Sequence, residues 1–239
     1  AQLHAGVKVV QADLKSSSGQ TKLHDLLAKT DVLLTSFRPS ALRKLGMDWK
    51  KLHVQFPSLI MVSIVGAKGA AAEIPGHDLT YLAAHGLVNG VHLPATLFAD
   101  MAGSALAVEA VLKSLWQRAR SGRAHGKGVF HEVALEDAAA YLALPRHWGL
   151  TLPNGSVGGA HAGYAVYECI KGRVAVAALE PHFADKLLEV AGIPSAKPAH
   201  ITMGLPDTRL KLSHFFAGLT RQQIDQLAAT HDLPLLTMA

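Results

Sequence analysis

Leu59-Ile60-Met61-Val62-Ser63-Ile64-Val65 is the stretch from which the fold is read. All of it except Ser63 is apolar, and Ile and Val dominate. A nearly continuous apolar run of this length reads as a buried strand of a parallel sheet, where both faces are covered. Upstream, Val32-Leu33-Leu34-Thr35-Ser36-Phe37 repeats the pattern. Residues 7–12, Val-Lys-Val-Val-Gln-Ala, read as a shorter strand. Residues 20–30 between these runs are helical, with Leu23, Leu26 and Leu27 on one face. A second helix opens at Arg38-Pro39-Ser40, with proline in its first turn and Leu42 and Leu45 inward. Strand–helix–strand–helix–strand predicts an α/β unit with an open parallel sheet.

Downstream of the run, Pro75-Gly76-His77-Asp78-Leu79-Thr80-Tyr81 opens another helix. Residues 97–121 form the longest helical pattern. Met101, Leu106, Val108, Val111, Leu112, Leu115 and Trp116 cover so much of it that burial on most sides is expected. It ends in a basic turn around Arg118, Arg120 and Arg123. A strand over 129–134 and a helix over 135–144 follow. The glycine-rich loop 152–163 separates two subregions. Residues 164–169 and 173–178 read as a hairpin around Lys171-Gly172. Glu180-Pro181 opens a helix to Val190, and two more helices lie near 205–216 and 220–230. The expected fold is α/β. An open parallel-sheet, Rossmann-like large domain spans 1–151 with the long central helix, and a smaller α+β domain spans 152–239.

The chain has 239 residues, 49% of them hydrophobic, enough to bury a sizeable core. Aromatics are only 6% and Lys and Arg are scattered, which argues against a nucleic-acid surface. A formal charge of +5 suits an anionic small-molecule ligand, but also occurs without one. Cys169 is the only cysteine, so no internal disulfide forms, in keeping with a reducing cytoplasm. No apolar run has the length of a membrane span, and no signal-peptide pattern is visible. The histidines include no His-x-His or His-Glu-x-x-His spacing, so no metal site is expected. Gly155-Ser156-Val157-Gly158 has the wrong spacing for a nucleophile elbow. Gly158-Gly159-x-x-x-Gly163 is neither a dinucleotide fingerprint nor a phosphate loop. It reads as a surface turn, or as a mobile loop that closes over a substrate.

His77 and Asp100 each fall near a helix start, where free N–H groups and the helix dipole favour negative charge. That placement can bring an acid/base histidine and a carboxylate to one pocket wall. Singly, each has a plainer reading. His77 can be a helix-start or core histidine. Asp100 can be an N-cap worth about 1 kcal/mol. Glu180 can be a helix-entry carboxylate.

Read in order, several motifs together resemble the family III CoA-transferases, the CaiB/BaiF group that includes α-methylacyl-CoA racemase. They are Asp13-Leu14-Lys15, Asp31-Val32-Leu33-Leu34 with Phe37-Arg38-Pro39 and Leu45-Gly46, and Pro75-Gly76-His77-Asp78-Leu79-Thr80-Tyr81. Further on come Leu97-Phe98-Ala99-Asp100-Met101-Ala102-Gly103, Arg120-Ser121-Gly122-Arg123 with Gly126-Lys127-Gly128, and Leu179-Glu180-Pro181-His182-Phe183. The resemblance covers nearly the whole chain and is closest to the racemase form of the Gly-His-Asp motif. It implies that His77 and Asp100 form an acid/base pair and that Glu180 orients the histidine. It also implies CoA contacts from Arg38, Lys44, Gly76, Asp78 and Tyr81. The implied function is a racemase or epimerase of 2-methylacyl-CoA thioesters by two-base α-proton transfer. One alternative is a CoA-transferase using Asp100 as nucleophile. Another is a non-catalytic member with an incomplete CoA site. Further implications are an acyl-CoA small-molecule substrate, no prosthetic group beyond CoA within that substrate, and a cytoplasmic homodimer. The chain departs from the family pattern at Lys44, where the family has arginine, and at Gly66-Ala67-Lys68-Gly69. It begins past the family's first strand, helix and nucleotide-contacting loop, and ends near residues 233–238, before the usual C-terminal return. The resemblance therefore implies an altered CoA site.

Overall fold

The computed structural model describes residues 5–120, 126–195 and 198–239. The chain divides into two compact units, Ala1–Ala143 and Leu144–Ala239. The basic turn expected at 121–123 lies outside the described residues.

The first unit is built on a parallel sheet of order β1-β2-β3, with β1 Val32–Thr35, β2 Ile60–Val65 and β3 Phe130–Ala134. Val32 pairs with Ile60, and Met61 with Phe130, so β2 is central. One face of the sheet carries Leu59 and Met61. These pack with Leu27, Leu42 and Leu52 of α1 (Ser17–Leu27), α2 (Pro39–Lys44) and α3 (Trp49–Gln55). The other face carries Ile60, Val62 and Val133. It packs on Leu106, Ala107, Ala110, Val111 and Leu115 of a long helix. In order, α4 is Asp78–Ala84, the long α5 is Phe98–Arg120, and α6 is Leu135–Leu142. Double-sided burial is what an uninterrupted apolar strand requires.

Three expectations need correction. Residues 7–12 form no strand; they run without a ladder partner, and Val9 is 71% exposed. A strand-like pattern makes a strand only where a sheet edge receives it, and the third strand of this sheet is β3. The second apolar run is not fully buried: among the described residues β1 is an edge strand, and Leu34 is 56% exposed. Helix α5 is not buried on most sides. Met101, Val108, Leu112 and Trp116 each lie more than half exposed on the face turned away from the sheet. Helix α3 was not announced by any periodicity. It is seven residues long and begins where Asp48 Oδ1 accepts the Lys51 N–H at 3.2 Å.

The second unit opens with α7 (Leu144–His147) and an irregular loop, then the hairpin β4 (Tyr164–Cys169) and β5 (Gly172–Ala177). Lys171, in the turn, has φ of 57°. A third antiparallel strand, β6 (Leu235–Met238), pairs with β5 and was not foreseen. Helices α8 (Pro181–Val190), α9 (Ala199–Met203), α10 (Pro206–Ala217) and α11 (Arg221–His231) complete the unit. Its core joins Tyr167, Val174, Leu187, Met203, Leu212, Phe216 and Ile224. Among the described residues, no helix is long and apolar enough to cross a membrane.

Candidate functional site

The carboxyl ends of β1, β2 and β3 open toward one cavity of about 240 Å³ in the first unit. Its walls include Arg38, Gly66, Gly76, His77, Tyr81 and Leu135. In an open α/β sheet, the crevice beyond the carboxyl ends of the strands is the usual ligand position. The phenol of Tyr81 lies across two backbone segments, at Gly66 and Gly76. A Cβ at either position would run into its hydroxyl. Glycine at both sites is what lets the ring close that side.

His77 occupies the N-cap position of α4 with extended backbone. Its N–H donates to Thr80 Oγ1 at 3.0 Å, and the Thr80 hydroxyl donates to the His77 carbonyl at 2.7 Å. The main chain is pinned by this turn, and the residue itself is exposed. The next residue does the opposite. Asp78 is 5% exposed, and its Oδ1 accepts the backbone N–H of Asp100 at 3.0 Å. It therefore satisfies one of the free donors at the start of α5. Below this bond, Leu82 of α4, Ala99 of α5 and Ala139 of α6 form one buried cluster. The starts of α4 and α5 are thus held together, and His77 and Asp100 are brought into electrostatic range of each other.

Asp100, half-buried in the first turn of α5, holds its proton more tightly than an ordinary aspartate. Burial is the main cause, the Asp78 carboxylate adds to it, and His77 acts against it. The Tyr81 hydroxyl is likewise pushed up, first by burial, then by Asp100 and Glu136, with Arg38 opposing.

The remaining expected residues are placed as follows. Arg38 lines the cavity from the loop after β1. Lys44 is exposed at the last position of α2 and is not among the lining residues. Asp78 is engaged as the cap just described. Glu180 is exposed at the N-cap of α8 in the second unit; its carbonyl accepts the Ala184 N–H, and its side chain makes no capping bond. Glu73 was not singled out from the sequence. Its carboxylate accepts the Ser40 N–H and hydroxyl, each at 2.7 Å, and fixes the start of α2 next to Arg38. Its partners are far away in sequence, and no motif marks them.

A larger cavity of about 440 Å³ lies beside α2, α3, β2 and β3. Three of its four charged lining groups already serve the fold. Asp48 caps α3, Glu132 accepts the Gly69 N–H at 2.9 Å, and Arg43 meets Glu73 at 3.4 Å.

A model of CoA-transferase family III matches residues 1–238. The chain is 30% identical to the CaiB/baiF CoA-transferase family protein ZK892.4 of Caenorhabditis elegans, over 90% of this chain and 71% of that protein. It is 29% identical to the α-methylacyl-CoA racemase of Mus musculus, over 94% of this chain and 63% of the racemase. The chain thus spans less than two thirds of that racemase's length. The crystal structure of Rv3272 from Mycobacterium tuberculosis superposes with a TM-score of 0.80 at 22% identity, covering 97% of this chain and 67% of that one.

Proposed function

Because the chain belongs to CoA-transferase family III, we propose that it acts on acyl-CoA thioesters, with His77 and Asp100 as a two-base pair that inverts the α-carbon of a 2-methylacyl-CoA. The observation that carries this reading is the bond between Asp78 Oδ1 and the Asp100 N–H, which draws the two helix starts together. The α-carbon of a thioester is a weak acid, and inverting it takes a base on one face and an acid on the other. Asp100 suits the acid role because its proton affinity is raised; the exposed imidazole of His77 suits the base. The roles exchange with the configuration of the substrate. Arg38, on the cavity wall, offers charge to the phosphates of CoA, with Lys44 as a weaker match for planar phosphate recognition. CoA enters as part of the substrate, and the chemistry needs no prosthetic group.

A second reading is group transfer, favoured by the same half-buried Asp100. A carboxylate of raised basicity attacks the thioester carbonyl, the CoA thiolate leaves, and an acyl anhydride forms on Asp100. The test is α-proton exchange in heavy water with 2-methylpropanoyl-CoA and a longer 2-methylacyl-CoA, read by mass spectrometry. Exchange is expected in the wild type and lost in His77→Ala. Absent exchange together with a hydroxylamine-sensitive acyl adduct on Asp100 would move the assignment to transfer. Absent exchange without CoA binding would refute both.

A further inference from the structure

Asp78 stands one residue from His77 in the chain and one hydrogen bond from Asp100 in space. Resting on the acid/base reading above, we propose that Asp78 is a positioning residue: its buried carboxylate fixes the two proton-carrying side chains by docking the first turn of α5 onto the first turn of α4. The bond goes to the backbone of Asp100 itself, so it sets where that side chain leaves the helix. The Leu82–Ala99–Ala139 cluster gives the two helices a common floor, and Asp78 sets their register at their first turns; of the pair, His77 lines the cavity and Asp100 stands outside the lining.

The acceptor geometry alone does not call for a charge, because an asparagine oxygen would accept the same N–H. The charge supplies a second effect. Asp78 adds to the proton affinity of Asp100, against the pull of His77. The other ionisable groups at this end are Tyr81 on α4, Glu136 on α6 and Arg38 after β1; Glu136 raises the proton affinity of the Tyr81 hydroxyl and Arg38 opposes it. Asp78 alone among these groups both holds the Asp100 backbone and raises its proton affinity. It would thereby couple the spacing of the pair to its protonation.

Two substitutions separate the effects. Asp78→Asn keeps the acceptor and removes the charge, while Asp78→Ala removes both. Carbon-13 NMR of carboxyl-labelled protein follows the Asp100 titration without any substrate, with the Asp100→Asn spectrum identifying its signal. Asp78→Asn is expected to move that titration to lower pH. The limb of the exchange pH profile that belongs to Asp100 should shift the same way, with kcat falling less than about tenfold. Asp78→Ala is expected to lower kcat on the order of a hundredfold with little change in KM, as misplacement of a reacting group by about 1 Å does. An unmoved Asp100 titration in Asp78→Asn together with wild-type kcat in Asp78→Ala overturns this role alone. No α-exchange by folded wild-type protein overturns the acid/base reading, and this role with it.

Discussion

Leu82→Ala tests whether α4 is seated as described. Leu82 is 0% exposed, and its cluster partners Ala99 and Ala139 are both alanines. The two alanines cannot reach into the space that the leucine leaves, and only the partly buried Tyr81, Leu87 and Val88 packed against the cluster can relax toward it, so part of the cavity persists. Core Leu→Ala changes cost about 2–5 kcal/mol, and a site that collapses only in part falls in the middle of that range, about 3–4 kcal/mol. For a unit of this size that corresponds to a drop in Tm of roughly 10 °C or more. The chain has three tryptophans, of which Trp49 and Trp116 lie in the first unit and Trp148 in the second. In a Trp148→Phe background, urea unfolding followed by tryptophan fluorescence therefore reports on the first unit alone. Leu79→Ala, on the 41% exposed side of the same helix, is the control and should cost below about 1 kcal/mol. Leu82→Met, which conserves volume, should cost less than about 1.5 kcal/mol. If Leu82→Ala costs no more than Leu79→Ala, α4 does not pack on α5 and α6, and the pairing of His77 with Asp100 loses its support.

Gly66→Ala should destabilise the first unit by about 1–3 kcal/mol, because its Cβ meets the Tyr81 hydroxyl. Tyr81→Phe removes the atom in closest conflict and leaves the ring carbon behind it at 3.1 Å. The double variant should therefore recover on the order of 1 kcal/mol relative to the sum of the singles, and strict additivity would place the ring elsewhere. Asp100 gives a pH signature in stability. Its folded proton affinity is raised, so its contribution is present below the unfolded pKa of about 3.9 and is lost as pH rises through the folded value. Asp100→Asn cannot ionise, so its Tm advantage over wild type should widen between about pH 4 and about pH 7; a constant or shrinking gap would contradict the buried placement of the carboxyl.

The central strand was legible because β2 is buried on both faces, and such a strand writes its environment directly into the sequence. The same logic misled at α5. Met101, Val108, Leu112 and Trp116 look like core residues, yet they face away from the sheet. Side-chain hydrophobicity records that a face is apolar and not what covers it. Residues 7–12 failed for a related reason, since alternation describes a side-chain pattern and a strand also needs a ladder partner. In the site, the motif around His77 marked the right helix start. The capping bond of Asp78 was not readable, because it joins residues on two helices through a backbone N–H that no side-chain pattern marks. Glu73 escaped likewise, its carboxylate reaching back to Ser40 across an intervening strand.

The order of the first sheet sets a timetable for its making. β2 lies at the centre, but its second neighbour, β3, comes only after α4 and α5 in the chain. Parallel pairing cannot begin until that long loop can close. On a ribosome adding about 5–20 residues/s, the roughly 65 residues from the end of β2 to the start of β3 take on the order of 3–13 s. For that interval Ile60–Val65, apolar but for Ser63, presents an open edge and uncovered face to its surroundings. The β4–β5 hairpin of the second unit closes locally and carries no such delay. The nascent chain is thus most vulnerable to aggregation between residues 65 and 130, and the strand that anchors the finished sheet is the one most in need of shelter while it is being built.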